Sequence, residues 1–203
     1  MSFFKIEAQY LDWTEARIFL KNGNIIEGHA RLKMQGAIQN GSALNLLSPK
    51  EYLLYINKEI KQRRSTKFIP EEVDSVLFTI RNKFKDEISE RVAKYIVITK
   101  VKKKRKEVLG FTELIIGGTV KLVEKGIAVN SRGGGVMTQT LLIREDEEPL
   151  IVFNSLMQLK SFKKRVLDYF KDCSILIDKI ENEWNKLKDI KAIVKFYNDN
   201  CAK

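Results

Sequence analysis

The chain has 203 residues, enough for one large domain or two small ones with a real hydrophobic core. With 44% hydrophobic and 31% charged residues, two cysteines and three prolines, it is neither disordered, nor collagen-like, nor a disulfide-dense mini-protein. Its longest apolar runs fall far short of the ~20 residues a spanning helix needs, and 37 Lys and Arg against 26 Asp and Glu give a net charge of +11.

The first half reads as strands. Glu15 to Lys21 runs into Asn22-Gly23, a strong hairpin signal, and Asn24 to Leu32 returns. Ala43 to Leu47 is a further apolar run, broken by Ser48-Pro49. The segment Glu51 to Ile60, with Tyr52, Leu53, Tyr55, Ile56 and Ile60, fits a helix and a strand equally well. Phe68 to Val73 is a strand end and a turn, and Asp74 to Ile80 is the next strand. Pro70 bars one continuous central strand through both.

The positive charge is concentrated in the middle. Arg81 to Val108 holds eleven basic residues against four acidic ones, so this stretch alone supplies seven of the eleven net charges. Its centre, Lys102 to Lys106, lies between the strand-like runs Tyr95–Ile98 and Val108–Phe111 and reads as a hairpin tip. Lys100, Lys102, Lys103, Lys104, Arg105 and Lys106, with Arg132, are the candidate contacts to an anionic group or partner. The alternative is a solvated tip whose charges keep strand edges from pairing with other chains. No aromatic residue interleaves the run, as a groove for single strands would want.

Thr112–Ile116, Thr119–Val123 and Gln139–Ile143 read as strands, with Gly117-Gly118 as a tight turn. Ser131 to Gly135 reads as a mobile glycine loop. A phosphate-cradling loop leads from a strand into a helix and ends in a lysine and a hydroxyl. Here Val136 to Thr140 follows and looks like a strand.

From Asn154 the apolar period changes from two to 3.6. Leu156, Leu159, Phe162, Val166, Tyr169 and Phe170 make one amphipathic helix, with Asn154 or Ser155 at its start and Lys160, Lys163, Lys164 and Arg165 on its outer side. Leu176, Ile177, Ile180, Trp184 and Leu187 make a second. Ile190, Ile193, Val194 and Tyr197 make a short third, capped by Asp189. Strands first and helices last argue an α+β fold.

Catalytic signals are few. A Ser-His-Asp or Cys-His arrangement would have to use His29, the one histidine, which falls inside a strand. A zinc site from His29, Cys173 and Cys201 lacks the paired, closely spaced ligands such sites use. No catalytic residue, metal or cofactor is expected. Cys173 and Cys201 flank the last two helices, whose antiparallel return brings those ends within disulfide range. A bridge there closes a loop that stabilises by roughly 3 kcal/mol; two buried free thiols are the alternative.

Two resemblances add to this. Arg17 to Gly23 followed by Ile26-Glu27-Gly28 resembles the opening of Sm-like and other SH3-like small barrels, with Ala43–Leu46 and Ile69–Val76 where later strands would fall. It covers about the first eighty residues and implies a small barrel, a fold that hosts many functions. Over most of the chain, several motifs resemble a family of exported Bacteroidetes proteins. They are the same hairpin, the turn Ile69 to Val73, the strand Gly117 to Leu122, the Gly133–Gly135 excursion, and helices like Phe162 to Cys173 and Ile190 to Asn198. That resemblance implies the cell envelope and brings no activity with it. Met1 to Lys5 is not the charged start of a leader, so the expected location is periplasmic or cell envelope if a leader has been removed and cytoplasmic otherwise.

The expectation is therefore an α+β protein: a strand-rich small barrel or curved antiparallel sheet over residues 1–153, then two or three helices over 154–203. The predicted core is Ile18, Leu20, Ile26, Val76, Phe78, Ile96, Ile98, Leu122, Leu142, Val152, Phe162, Val166, Phe170, Ile180, Trp184, Ile193 and Tyr197. The expected function is a non-catalytic binding or protein-interaction module of the bacterial cell envelope, meeting a protein partner through sheet edges and loops. The second reading is a nucleic-acid-binding protein that uses a small-barrel N-terminal half and the basic 100–106 loop.

Overall fold

The computed structural model describes residues 13–33, 52–57, 64–81, 88–100, 106–129, 135–145, 147–154 and 161–202. The described strands are β1 (Thr14–Leu20), β2 (Ile25–Lys33), β3 (Tyr52–Ile56), β4 (Thr66–Phe68), β5 (Val73–Arg81), β6 (Ile88–Lys100), β7 (Lys106–Ile116), β8 (Val120–Val129), β9 (Gly135–Arg144) and β10 (Leu150–Asn154). They are followed by α1 (Phe162–Tyr169), α2 (Ser174–Asn182), a single 3₁₀ turn (Leu187–Asp189) and α3 (Ile190–Asn200). The fold is α+β, strands first and helices last. Hydrogen-bonded neighbours run in the order β10-β9-β8-β7-β6-β5-β1-β2-β3-β4. That order has two ends, so the sheet is open and does not close into the small barrel that was the other expectation. The chain divides into two compact units. One is Met1–Val97 with Val108–Glu113 and Gly126–Val136; the other is Ile98–Glu107 with Leu114–Lys125 and Met137–Lys203.

The first unit is built on the β1–β2 hairpin. Gly23, with φ +86°, accepts the left-handed conformation that closes a three-residue loop of Lys21, Asn22 and Gly23. Its N–H reaches Leu20 O at 3.0 Å, and the Asn22 side chain accepts the Asn24 N–H at 3.0 Å. Ile18 stands opposite Ile26 on β2 and Val76 on β5, and β3 continues the ladder with Ala30 opposite Tyr55. Within Glu51–Ile60, ambiguous by sequence, Tyr52–Ile56 is a strand in which every second residue is buried: Leu53 and Tyr55 face the core, and Tyr52, Leu54 and Ile56 face the other way, while Glu51 and Ile60 lie outside the described residues. The core gathers Ala16, Ile18, Ala30, Leu32, Leu53, Tyr55, Val73, Val76, Phe78 and Phe111. Gly28 is bare because Tyr55 lies over it. A Cβ there would sit 2.7 Å from the ring, whose hydroxyl donates to Glu27 O.

The second unit packs helices on strands. Val120 and Leu122 of β8, Leu142 of β9 and Val152 of β10 share a core with Val166, Phe170, Leu176, Ile180, Ile193, Val194 and Tyr197. The helices' compact unit thus begins well upstream of residue 154. Two local expectations are corrected here. Asn154 does not start a helix: it ends β10 opposite Gln139, and α1 begins at Phe162, where the Ser161 side chain accepts the Lys164 N–H. Asp189 does precede α3, but its carboxylate accepts the Lys186 N–H at 3.0 Å instead of capping that helix.

Of the predicted core, Ile18, Val76, Phe78, Leu122, Leu142, Val152, Val166, Phe170, Ile180, Ile193 and Tyr197 are buried. Leu20, Ile26, Phe162 and Trp184 are partly buried against them. The side chains of Ile96 and Ile98 lie outside the described residues, as does the run Ala43–Leu47.

Candidate functional site

Lys100 closes β6 and Lys106 opens β7, which are neighbours in the ladder. Lys102, Lys103, Lys104, Arg105 and Arg132 lie outside the described residues. Cys173 and Cys201 are joined in a disulfide, Cα to Cα 5.8 Å, which ties the start of α2 to the end of α3. His29 sits in β2, opposite Glu15 on β1 and Ile56 on β3. Among the described residues no cluster of three or more His, Cys, Asp or Glu is placed to hold a metal ion.

Among the described residues of the second unit, a dense polar arrangement centres on Arg144, the last residue of β9. Its guanidinium carbon lies 4.8 Å from the Tyr197 ring centre, 5.0 Å from Tyr169 and 6.0 Å from Phe170. Nη1 donates to Glu147 at 2.9 Å and to Asp172 at 3.3 Å. The Tyr197 hydroxyl donates to the same Asp172 carboxylate at 2.6 Å. Burial alone would lower the Arg144 pKa, but the Glu147 hydrogen bond and the Asp172 charge outweigh it and raise it. Burial likewise works against ionised Asp172. The Tyr197 hydroxyl and the Arg144 charge nevertheless hold its carboxyl below the usual range. Tyr197 is pushed up to about 12, first by burial and then by its bond to Asp172. Burial also pushes Tyr169 well above the ordinary phenol value. With its charge matched and its ring faces stacked, Arg144 is a lock between β9 and the helices. The arrangement presents no activated nucleophile.

Two further locks surround it. The Asn198 side chain donates to Gly117 O and Val120 O and accepts the Val120 N–H, clamping the β7–β8 turn. Arg165 of α1, expected on the outer face, turns inward and donates to Ile151 O and Val152 O, where the β9–β10 register is irregular. Lys163 also departs from a purely solvated face, donating to Glu181 O at 3.0 Å.

Sequence reasoning missed a different surface, on the first unit. The β1–β2–β3–β4 registers place Arg31 opposite Leu54, Lys33 opposite Tyr52 and Leu54 opposite Lys67, all on the face away from the core. There the Arg31 guanidinium carbon lies 4.6 Å from the Trp13 ring centre and Lys67 Nζ 4.4 Å from that of Tyr52. Each of the two rings thus lies beside a cation from another strand, with the aliphatic Leu54 between Arg31 and Lys67. A second feature lies at the hairpin end, where Lys21 N–H bonds Glu72 O at 3.0 Å and ties two turns together. Ile25 and Ile69 there are 58% and 40% exposed. Among the described residues the only other large aliphatic so exposed is Ile175, on α2. The chain matches no protein family, no curated protein and no solved structure.

Proposed function

We propose that the protein is a non-catalytic binding module of the bacterial cell envelope that holds a protein partner on a preformed surface. The observation that carries the reading is the tied pair of turns at the end of the β1–β2 hairpin. Its backbone is fixed by hydrogen bonds, yet it leaves Ile25 and Ile69 in water, an arrangement suited to apolar anchoring at little ordering cost. The disulfide supports the compartment, since such bonds persist in oxidising surroundings. The likeness to exported Bacteroidetes proteins points the same way. Photoreactive residues at positions 25, 69 and 175, irradiated in cells of the source organism, test it. A discrete adduct from positions 25 and 69 and none from 175 is expected. No adduct, or the same adducts from all three positions, would contradict the reading.

The second reading, a nucleic-acid-binding N-terminal half, is favoured by the pairing of a ring with a cation at both Trp13 and Tyr52.

A further inference from the structure

We infer that the corner of the first unit formed by Trp13, Arg31, Lys33, Tyr52 and Lys67 is a binding site for single-stranded nucleic acid. This rests on the second reading above and moves its site from the 100–106 run to the sheet face. The strand alternation supplies the geometry. Thr14 stands opposite Ala30, so Trp13 falls beside Arg31, while Lys33 pairs with Tyr52 and Lys67 lies over the Tyr52 ring. The two rings are carried just before β1 and on β3, two strand spacings across and two residues along, so their backbones are about 12 Å apart. Between them β2 carries Arg31 and Lys33.

Among the described residues Arg31, Lys33 and Lys67 make no ion pair with a carboxylate. Glu27, on the same face of β2, is taken by Arg17 at 2.7 Å. The Arg31 Nε–H has no acceptor. An anionic occupant would find these cations free, with Glu15 the nearby carboxylate on the same face, and the rings favour one that also brings planar surfaces at intervals. A single strand has both, with phosphates for the cations and bases to stack on Trp13 and Tyr52. An acidic polysaccharide or an anionic lipid surface would also meet the charges, but neither presents flat π faces at nucleotide spacing.

Titration of the full-length chain with oligothymidylate tests the site. A Trp184→Phe background makes the fluorescence report Trp13. Binding at low salt should quench that fluorescence and weaken with salt at a logarithmic slope near −2, about −0.7 for each of three phosphates. Trp13→Ala and Tyr52→Ala, compared with the parent by the anisotropy of a labelled oligothymidylate because the first leaves no reporting tryptophan, should each weaken binding roughly 5- to 100-fold, the loss of one stacked base. Tyr52→Phe should bind like the parent, and unfolding midpoints confirm that each variant is folded. Absence of binding by the parent removes the nucleic-acid reading together with the site. Binding that survives both alanine variants but is lost when Lys102, Lys103 and Lys104 become Gln keeps that reading and overturns the corner. Equal competition by inorganic polyphosphate, without dependence on Trp13, also overturns it.

Discussion

Arg144 shows how much one side chain organises in the second unit. Its planar guanidinium serves two carboxylates and stacks against two tyrosines, which a lysine ammonium does not reproduce. Arg144→Lys is expected to lower unfolding stability by about 1–3 kcal/mol despite the conserved charge, read from the urea midpoint. The pH dependence follows from its neighbours. The folded pKa of Asp172 is depressed, so its contribution is complete above the unfolded carboxyl value of about 3.9 and is lost as pH falls through the folded value. Tyr197 is raised to about 12, so its contribution holds below the ordinary phenol value and is lost as pH rises from there through the folded value. Midpoints measured against pH should show Asp172→Asn flattening the acid limb and Tyr197→Phe the alkaline limb. None of this cluster was legible in the sequence. Positions 144, 172 and 197 become neighbours only after two helices have packed, and no local pattern marks them. The same holds for Trp13, Arg31, Tyr52 and Lys67, which become two ring–cation pairs only across the strand register.

Elements were read more successfully than contacts, for physical reasons. Asn22-Gly23 announces its hairpin because few dipeptides accept the turn's backbone so readily, and the helical spacing of Leu176 and Ile180 in α2 and of Ile193 and Tyr197 in α3 reflects a buried face on each helix. Tyr52–Ile56 stayed ambiguous because five mostly apolar residues suit either state until a neighbouring strand supplies hydrogen bonds. Asn154 misled because its cap chemistry is as good at a strand end. The clamp at Asn198 makes a prediction about how elements join. Gly118 has φ +130°, and a Cβ there would lie 2.5 Å from Asn198 Nδ2. Asn198→Ala removes three hydrogen bonds from the β7–β8 turn, and each is ordinarily worth about 1 kcal/mol. A loss of about 2–3 kcal/mol is therefore expected in calorimetry. An unchanged transition would show that the turn needs no clamp.

The chain combines an open antiparallel sheet, a helical unit closed by a covalent bond, and a hairpin end that leaves aliphatic side chains in water. The disulfide spans 28 positions, so reduction should lower stability by roughly 3 kcal/mol on the chain-entropy account. Thiol-dependent shifts of the unfolding midpoint, absent from a Cys173→Ser/Cys201→Ser double variant, would measure it. The proposed role as an envelope binding module depends on that bond existing where the protein works. The direct measurement is acid-quenched alkylation of cells of the source organism, followed by mass analysis of the peptides containing Cys173 and Cys201. The account predicts one linked pair with neither thiol alkylated. Both cysteines recovered in alkylated form would place the protein in a reducing compartment and contradict it.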